Sequence, residues 1–108
     1  HIYALGFSQG AATLSILIQK AGVILEGVAL LAGFVIETTS NSSGKNIPVF
    51  IAHGTNDEVV TIEKAKKGRD FLVSNGYKVS FEEDPVGHKV GSNGMKKLKE
   101  WFEGLSAN

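Results

Sequence analysis

Four short apolar runs alternate with longer stretches of helical periodicity along this 108-residue chain, and that alternation narrows its fold more than any other feature. Ile2 to Phe7 is mostly apolar and ends at a glycine-containing turn, which suits a strand buried on both faces. Gln9 to Lys20 follows as a helix. Ala11, Ala12, Leu14, Leu17 and Ile18 make it apolar over most of its circumference, which predicts deep packing rather than a half-solvated face, and Gly22 supplies a stop. Val28 to Phe34 repeats the buried-strand pattern, Glu37 to Asn46 is a loop rich in Ser, Thr and Asn, and Pro48 to Ala52 is the third strand. Thr61 stands where it can cap a helix running to about Asn75, with Ile62, Ala65 and Leu72 inward, and Asn75-Gly76 ends it. Val79 to Glu83 gives a fourth strand. From near Asn93 a last helix puts Met95, Leu98, Trp101, Phe102 and Leu105 on one stripe, with a lysine-rich side toward water.

Strands that alternate with helices pair in parallel through right-handed crossovers. The expected class is therefore α/β, with four mainly parallel strands, helices on both faces, and one domain over residues 1–108. The strand pattern begins at once, in His1-Ile2-Tyr3-Ala4-Leu5, which predicts that the chain is a fragment or processed product of something longer.

Eleven basic residues balance eleven acidic ones, so no long-range field favours nucleic acid or an anionic membrane. No apolar run reaches the roughly 18 residues of a membrane span. Cysteine is absent, which excludes a disulfide framework, a thiolate nucleophile and a zinc–thiolate site, and fits a reducing compartment; the expected location is cytoplasmic.

Gly6-Phe7-Ser8-Gln9-Gly10 lies between a predicted strand and a predicted helix, the context in which a Gly-x-Ser-x-Gly turn raises a serine hydroxyl above a sheet. The sharp turn predicts that only glycine fits at both flanks. Because Ser8 opens a helix, the dipole and the Gln9 N–H can stabilise an oxyanion beside it. A serine nucleophile needs a base, and the base an orienting acid. Asp57 follows the third strand in His53-Gly54-Thr55-Asn56-Asp57, and His88 follows the fourth in Asp84-Pro85-Val86-Gly87-His88, so both stand beyond the carboxyl ends of parallel strands. Glu58 and Asp84 compete for the role of acid. His53 competes with His88, but it precedes the acid and ends a buried strand, which suits a packed histidine or a loop brace better, and His1 stands at the chain start.

On these residues the chain resembles the carboxylesterase, lysophospholipase and acyl-protein thioesterase branch of the α/β-hydrolase family. Gly6 to Ala11 looks like that branch's serine turn, Pro48 to Val60 like its strand with His-Gly and Asp-x-Val-Val, and Gly87-His88 like its histidine loop. Thr61 departs from the proline that often follows Asp-x-Val-Val, and Ala32-Gly33 from a common Ser-Gly. The resemblance implies Ser8 as nucleophile, Asp57 as acid and His88 as base, acting on a small-molecule ester or thioester without metal or organic cofactor. It also implies that the chain is the C-terminal portion of the fold and lacks the N-terminal strands. The strand over 2–7 would then associate with the missing N-terminal segment or with a second copy. The alternative is a truncated, catalytically idle domain that acts in binding or assembly.

Overall fold

A computed structural model describes residues 2–20, 25–38 and 47–106. Its elements run β1 (Tyr3–Phe7), α1 (Gln9–Lys20), β2 (Gly27–Leu31), β3 (Val49–Gly54), α2 (Ile62–Ser74), β4 (Val79–Asp84) and α3 (Ser92–Ser106). The strands form one sheet in the order β1-β2-β3-β4, and every neighbouring pair is parallel. Leu5 lies opposite Ala29, Ala29 opposite Phe50, and Gly54 opposite Asp84.

Side-chain alternation sorts the central strands between two cores. Val28, Leu30, Val49 and Ile51 face Ala11 and Ile18 of α1, Leu72 of α2, and Tyr77. Ala29, Leu31, Phe50 and Ala52 face the other way, onto Leu98 and Trp101 of α3, with the Phe50 and Trp101 rings 5.5 Å apart. Two helices thus cover one face and one the other, as the strand–helix alternation predicts. Both central strands are buried along their whole length, which explains their unbroken apolar character.

Several local expectations are corrected. β2 stops at Leu31 rather than Phe34, because Ala32 takes a φ of 51° and turns the chain out of the sheet. Gly33 then passes so close to the serine turn that a Cβ there would lie 2.5 Å from both the Ala11 Cβ and the Ser8 carbonyl oxygen. α1 is less deeply packed than its composition predicts. Its buried stripe is Ala11, Ala12, Ser15, Ile18 and Gln19, whereas Leu17 is 38% exposed. The two polar residues are buried because they fasten the segment after β2. The Ser15 hydroxyl accepts the Ile36 N–H at 3.0 Å, and the Gln19 amide donates to the Ile36 carbonyl at 2.8 Å and accepts the Thr38 hydroxyl at 2.8 Å.

Thr61 does occupy the N-cap of α2, but its hydroxyl makes no capping hydrogen bond. At the other end the expected Asn75-Gly76 stop holds. Gly76 has φ 90°, its N–H donates to the Val73 carbonyl, and the Tyr77 N–H donates to that of Leu72, the paired bonds of a Schellman motif. Along α3, Leu98 and Trp101 turn inward, but Met95 and Phe102 are exposed. The predicted stop at Gly22 and most of the predicted 37–46 loop lie outside the described residues.

Candidate active site

The sheet positions Ser8, Asp57 and His88 by the same device: each follows the carboxyl end of a strand, respectively β1, β3 and β4. Ser8 has φ 57°, a left-handed conformation that costs a non-glycine residue about 1–3 kcal/mol. Its backbone is held there on both sides. The Ser8 N–H donates to the Leu31 carbonyl at 2.8 Å, and its own carbonyl accepts the Ala11 and Ala12 N–H groups at 3.1 and 3.3 Å. Gly6 is required at this turn, since a Cβ would lie 2.5 Å from the Gly10 carbonyl oxygen. Gly10 is not, because a Cβ there meets nothing among the described residues within 4 Å. The expectation of glycine at both flanks therefore holds for the first alone.

Asp57 sits on a loop that closes back on β3 and leans on the histidine loop. Gly54 makes that lean possible: a Cβ at this position would run into the carbonyl oxygens of Val86 and Gly87. The Asn56 N–H donates to the Val86 carbonyl at 3.0 Å, and the Thr55 N–H to that of Asp84 at 2.8 Å. The buried Asp57 carboxylate accepts the Val59 and Val60 N–H groups on Oδ1, each at 2.8 Å, and faces His88 Nδ1 with Oδ2 at 2.7 Å. His88 Nε2 lies 3.0 Å from Ser8 Oγ. Asp57, His88 and Ser8 thus form one hydrogen-bonded chain, with the Phe7 ring tilted against the imidazole at a centroid distance of 5.3 Å.

Burial pushes the Asp57 carboxyl up. The hydrogen bond with His88, the Val60 and Val59 N–H groups and the charge of His88 outweigh it, and hold the group below its ordinary value. The ionised carboxylate then keeps the His88 proton on Nδ1, which leaves Nε2 free to accept from a hydroxyl.

The rivals have other tasks. Asp84 turns its carboxylate to the start of α3, accepting the Asn93 N–H at 3.2 Å and the Gly94 N–H at 2.6 Å. That bond pattern satisfies two orphan donors of the first helical turn. Glu58 is exposed. His53 is buried, with Nε2 2.6 Å from the Val60 carbonyl, the brace that its place in the chain predicts. His1 lies outside the described residues. The packing of Phe7 on His88 had no signal in the sequence, because it depends on how two edge strands project across the sheet. Among the described residues no group of three His, Cys, Asp or Glu side chains could hold a metal ion, and no helix is long and apolar enough to cross a membrane.

A parallel sheet that presents serine, aspartate and histidine, in that chain order, at the carboxyl ends of its strands has the organisation of an α/β-hydrolase. The chain belongs to the phospholipase/carboxylesterase family, whose model matches residues 1–106. It is 34% identical over 116 residues to acyl-protein thioesterase 1 of Cryptococcus neoformans var. neoformans serotype D, a match covering 90% of this chain and 49% of the relative. Acyl-protein thioesterase 1 of Yarrowia lipolytica is 28% identical over 109 residues, covering 91% and 47%. The carboxylesterase of Bacillus cereus superposes with a TM-score of 0.83 at 26% identity, over 97% of this chain and 50% of its own. The chain spans about half the length of the curated relatives it matches.

Proposed function

We propose that this chain carries the catalytic residues of a serine hydrolase that cleaves carboxylic esters or thioesters through an acyl-enzyme on Ser8. The observation that carries the reading is the unbroken contact chain from Ser8 Oγ through His88 to Asp57, at 3.0 and 2.7 Å. The names of the relatives support the same substrate class. His88 Nε2 takes the hydroxyl proton as Oγ attacks the carbonyl carbon, and Asp57 stabilises the resulting imidazolium. The electron pair displaced onto the carbonyl oxygen is met by the Gln9 N–H, a first-turn donor at the positive end of α1. Collapse expels the alcohol or thiol, which takes its proton from His88. Water, deprotonated by the same imidazole, then releases the acid from Ser8.

The domain we read as the C-terminal portion of the family's fold, working in the cytoplasm with further polypeptide of the same protein along β1. In support, the outer edge of β1 has no partner strand among the described residues, and Ile2, Leu5 and Phe7 are 64%, 60% and 45% exposed. Catalytic idleness is the less supported alternative, since it leaves the Ser8–His88–Asp57 contact chain without a task. A fluorophosphonate ester tests the choice: stoichiometric labelling of Ser8, abolished in Ser8→Ala and His88→Ala, is expected, since an unactivated serine does not react. Absence of labelling in the protein with its full sheet would refute the hydrolytic reading.

A further inference from the structure

His53 is buried beside the Asp57–His88 pair and takes no part in the proton transfers just described. It ends β3 with its side chain fully enclosed, and its Nε2 lies 2.6 Å from the Val60 carbonyl oxygen. A carbonyl oxygen only accepts, so this contact requires the proton on Nε2. The same nitrogen stands 3.5 Å from Asp57 Oδ2, the oxygen that faces His88. Nδ1 is buried with no hydrogen-bond partner among the described residues, a cost that an apolar side chain of similar volume would not incur. Val60 is the connecting element. Its carbonyl is held by His53 while its N–H holds Asp57 Oδ1 at 2.8 Å.

We propose that His53 is a positioning residue: its Nε2–H clamps the Val60 peptide, which fixes Asp57 Oδ1 and so keeps Oδ2 aimed at His88. Its effect on turnover rests on the hydrolytic reading above; its effect on the Asp57–His88 contact does not.

Two amide substitutions separate the clamp from mere filling of space. The amide nitrogen of Gln can take the place of Nε2, whereas that of Asn corresponds to Nδ1 and leaves the Val60 carbonyl without a donor. In His53→Asn, kcat for an aryl ester should fall about 10- to 100-fold with KM little changed, and His53→Gln should recover most of it. The exchange-protected Nδ1–H proton resonance of His88 should likewise shift upfield or vanish in His53→Asn and return in His53→Gln. Equal behaviour of the two variants in that resonance, with both folded by circular dichroism, would overturn the proposal. Ser8→Ala runs beside them. If it retains turnover, the hydrolytic reading fails, and the His88 resonance alone decides whether His53 positions the pair.

Discussion

The two edges of the sheet are built differently, although each delivers one end of the Ser8–His88 contact. β4 is a finished edge. Ser80, Glu82 and Glu83 put polar groups along it, Glu83 lies 4.0 Å from Lys66, and Arg69 stacks over the Phe81 ring at 4.9 Å. Charges of this kind discourage another strand from pairing there. β1 carries Tyr3, Ala4, Leu5, Gly6 and Phe7 with no charge at all. Beside it, Tyr3, Leu5, Met95, Leu98, Trp101 and Phe102 line an open apolar groove of about 380 Å³. The histidine side of the site is held by contacts within the chain, whereas the serine side has a strained turn on a strand whose outer edge has no partner strand among the described residues.

The largest expected effect bears on which loop carries the acid. Asp57 serves the contact chain, and Asp84 serves the first turn of α3 at the finished edge. In a protein whose sheet is completed along β1, Asp57→Asn should lower kcat on the order of 10⁴-fold, because the amide favours the wrong His88 tautomer. Asp84→Asn should leave kcat within a few fold and instead lower stability by about 1 kcal/mol through the weakened cap. Steady-state kinetics and urea unfolding of both variants check this. The reverse pattern would move the acid to the β4 loop.

A smaller effect is the pH dependence of stability that Asp57 imposes. Its carboxyl is held below the ordinary value in the folded protein, so the folded state favours the ionised form. That contribution is fully present above the ordinary carboxylate pKa of about 4 and is lost as pH falls through the lower folded value. Urea midpoints should therefore show the wild type losing stability relative to Asp57→Asn as pH drops from about 5 toward 2. A difference between the two that grows with acidity in favour of the wild type would contradict the hydrogen bonding assigned to Asp57.

Strand and helix order was legible because apolar runs and helical stripes report local burial, and for the same reason the strand ends that carry Ser8, Asp57 and His88 could be read. What was not legible depends on contacts between elements. The end of β2 is set by the φ of Ala32 and the approach of Gly33 to the serine turn, and no propensity encodes either. The apolar residues around α1 predict deep packing on most sides, yet Leu17 is exposed and the polar Ser15 and Gln19 take buried positions because the 36–38 segment needs their hydrogen bonds. Thr61 has the right residue type and position for a cap, but its hydroxyl makes no capping hydrogen bond. The task of Asp84 was open in the sequence, since a loop acid shows its role only through its partners, and the strand-end place of His53 suited a brace without naming Val60 as the residue it holds.

The smallest free-energy change, and the sharpest test of the two-edge contrast, comes from placing a lysine on each edge. Leu5 is 60% exposed on β1, and Ser80 is exposed on β4. Each substitution lies on the surface and should alter unfolding free energy by no more than about 0.5 kcal/mol. Their effects on association should nonetheless differ. A strand edge that bears only apolar side chains offers its free N–H and C=O groups to any extended segment, and a single lysine there opposes pairing by having to be desolvated or turned aside. At β4, where carboxylates already stand, a further charge removes nothing that favours pairing. For the isolated chain, light scattering should show concentration-dependent association that Leu5→Lys suppresses and Ser80→Lys leaves unchanged. If β1 is covered by polypeptide of the same protein, Leu5→Lys in the full protein should instead weaken that docking and expose the groove beside Trp101, read as quenching of its fluorescence by added iodide. A chain that stays monomeric at high concentration with native circular dichroism, and is indifferent to both lysines, would show that the two edges are equivalent in solution.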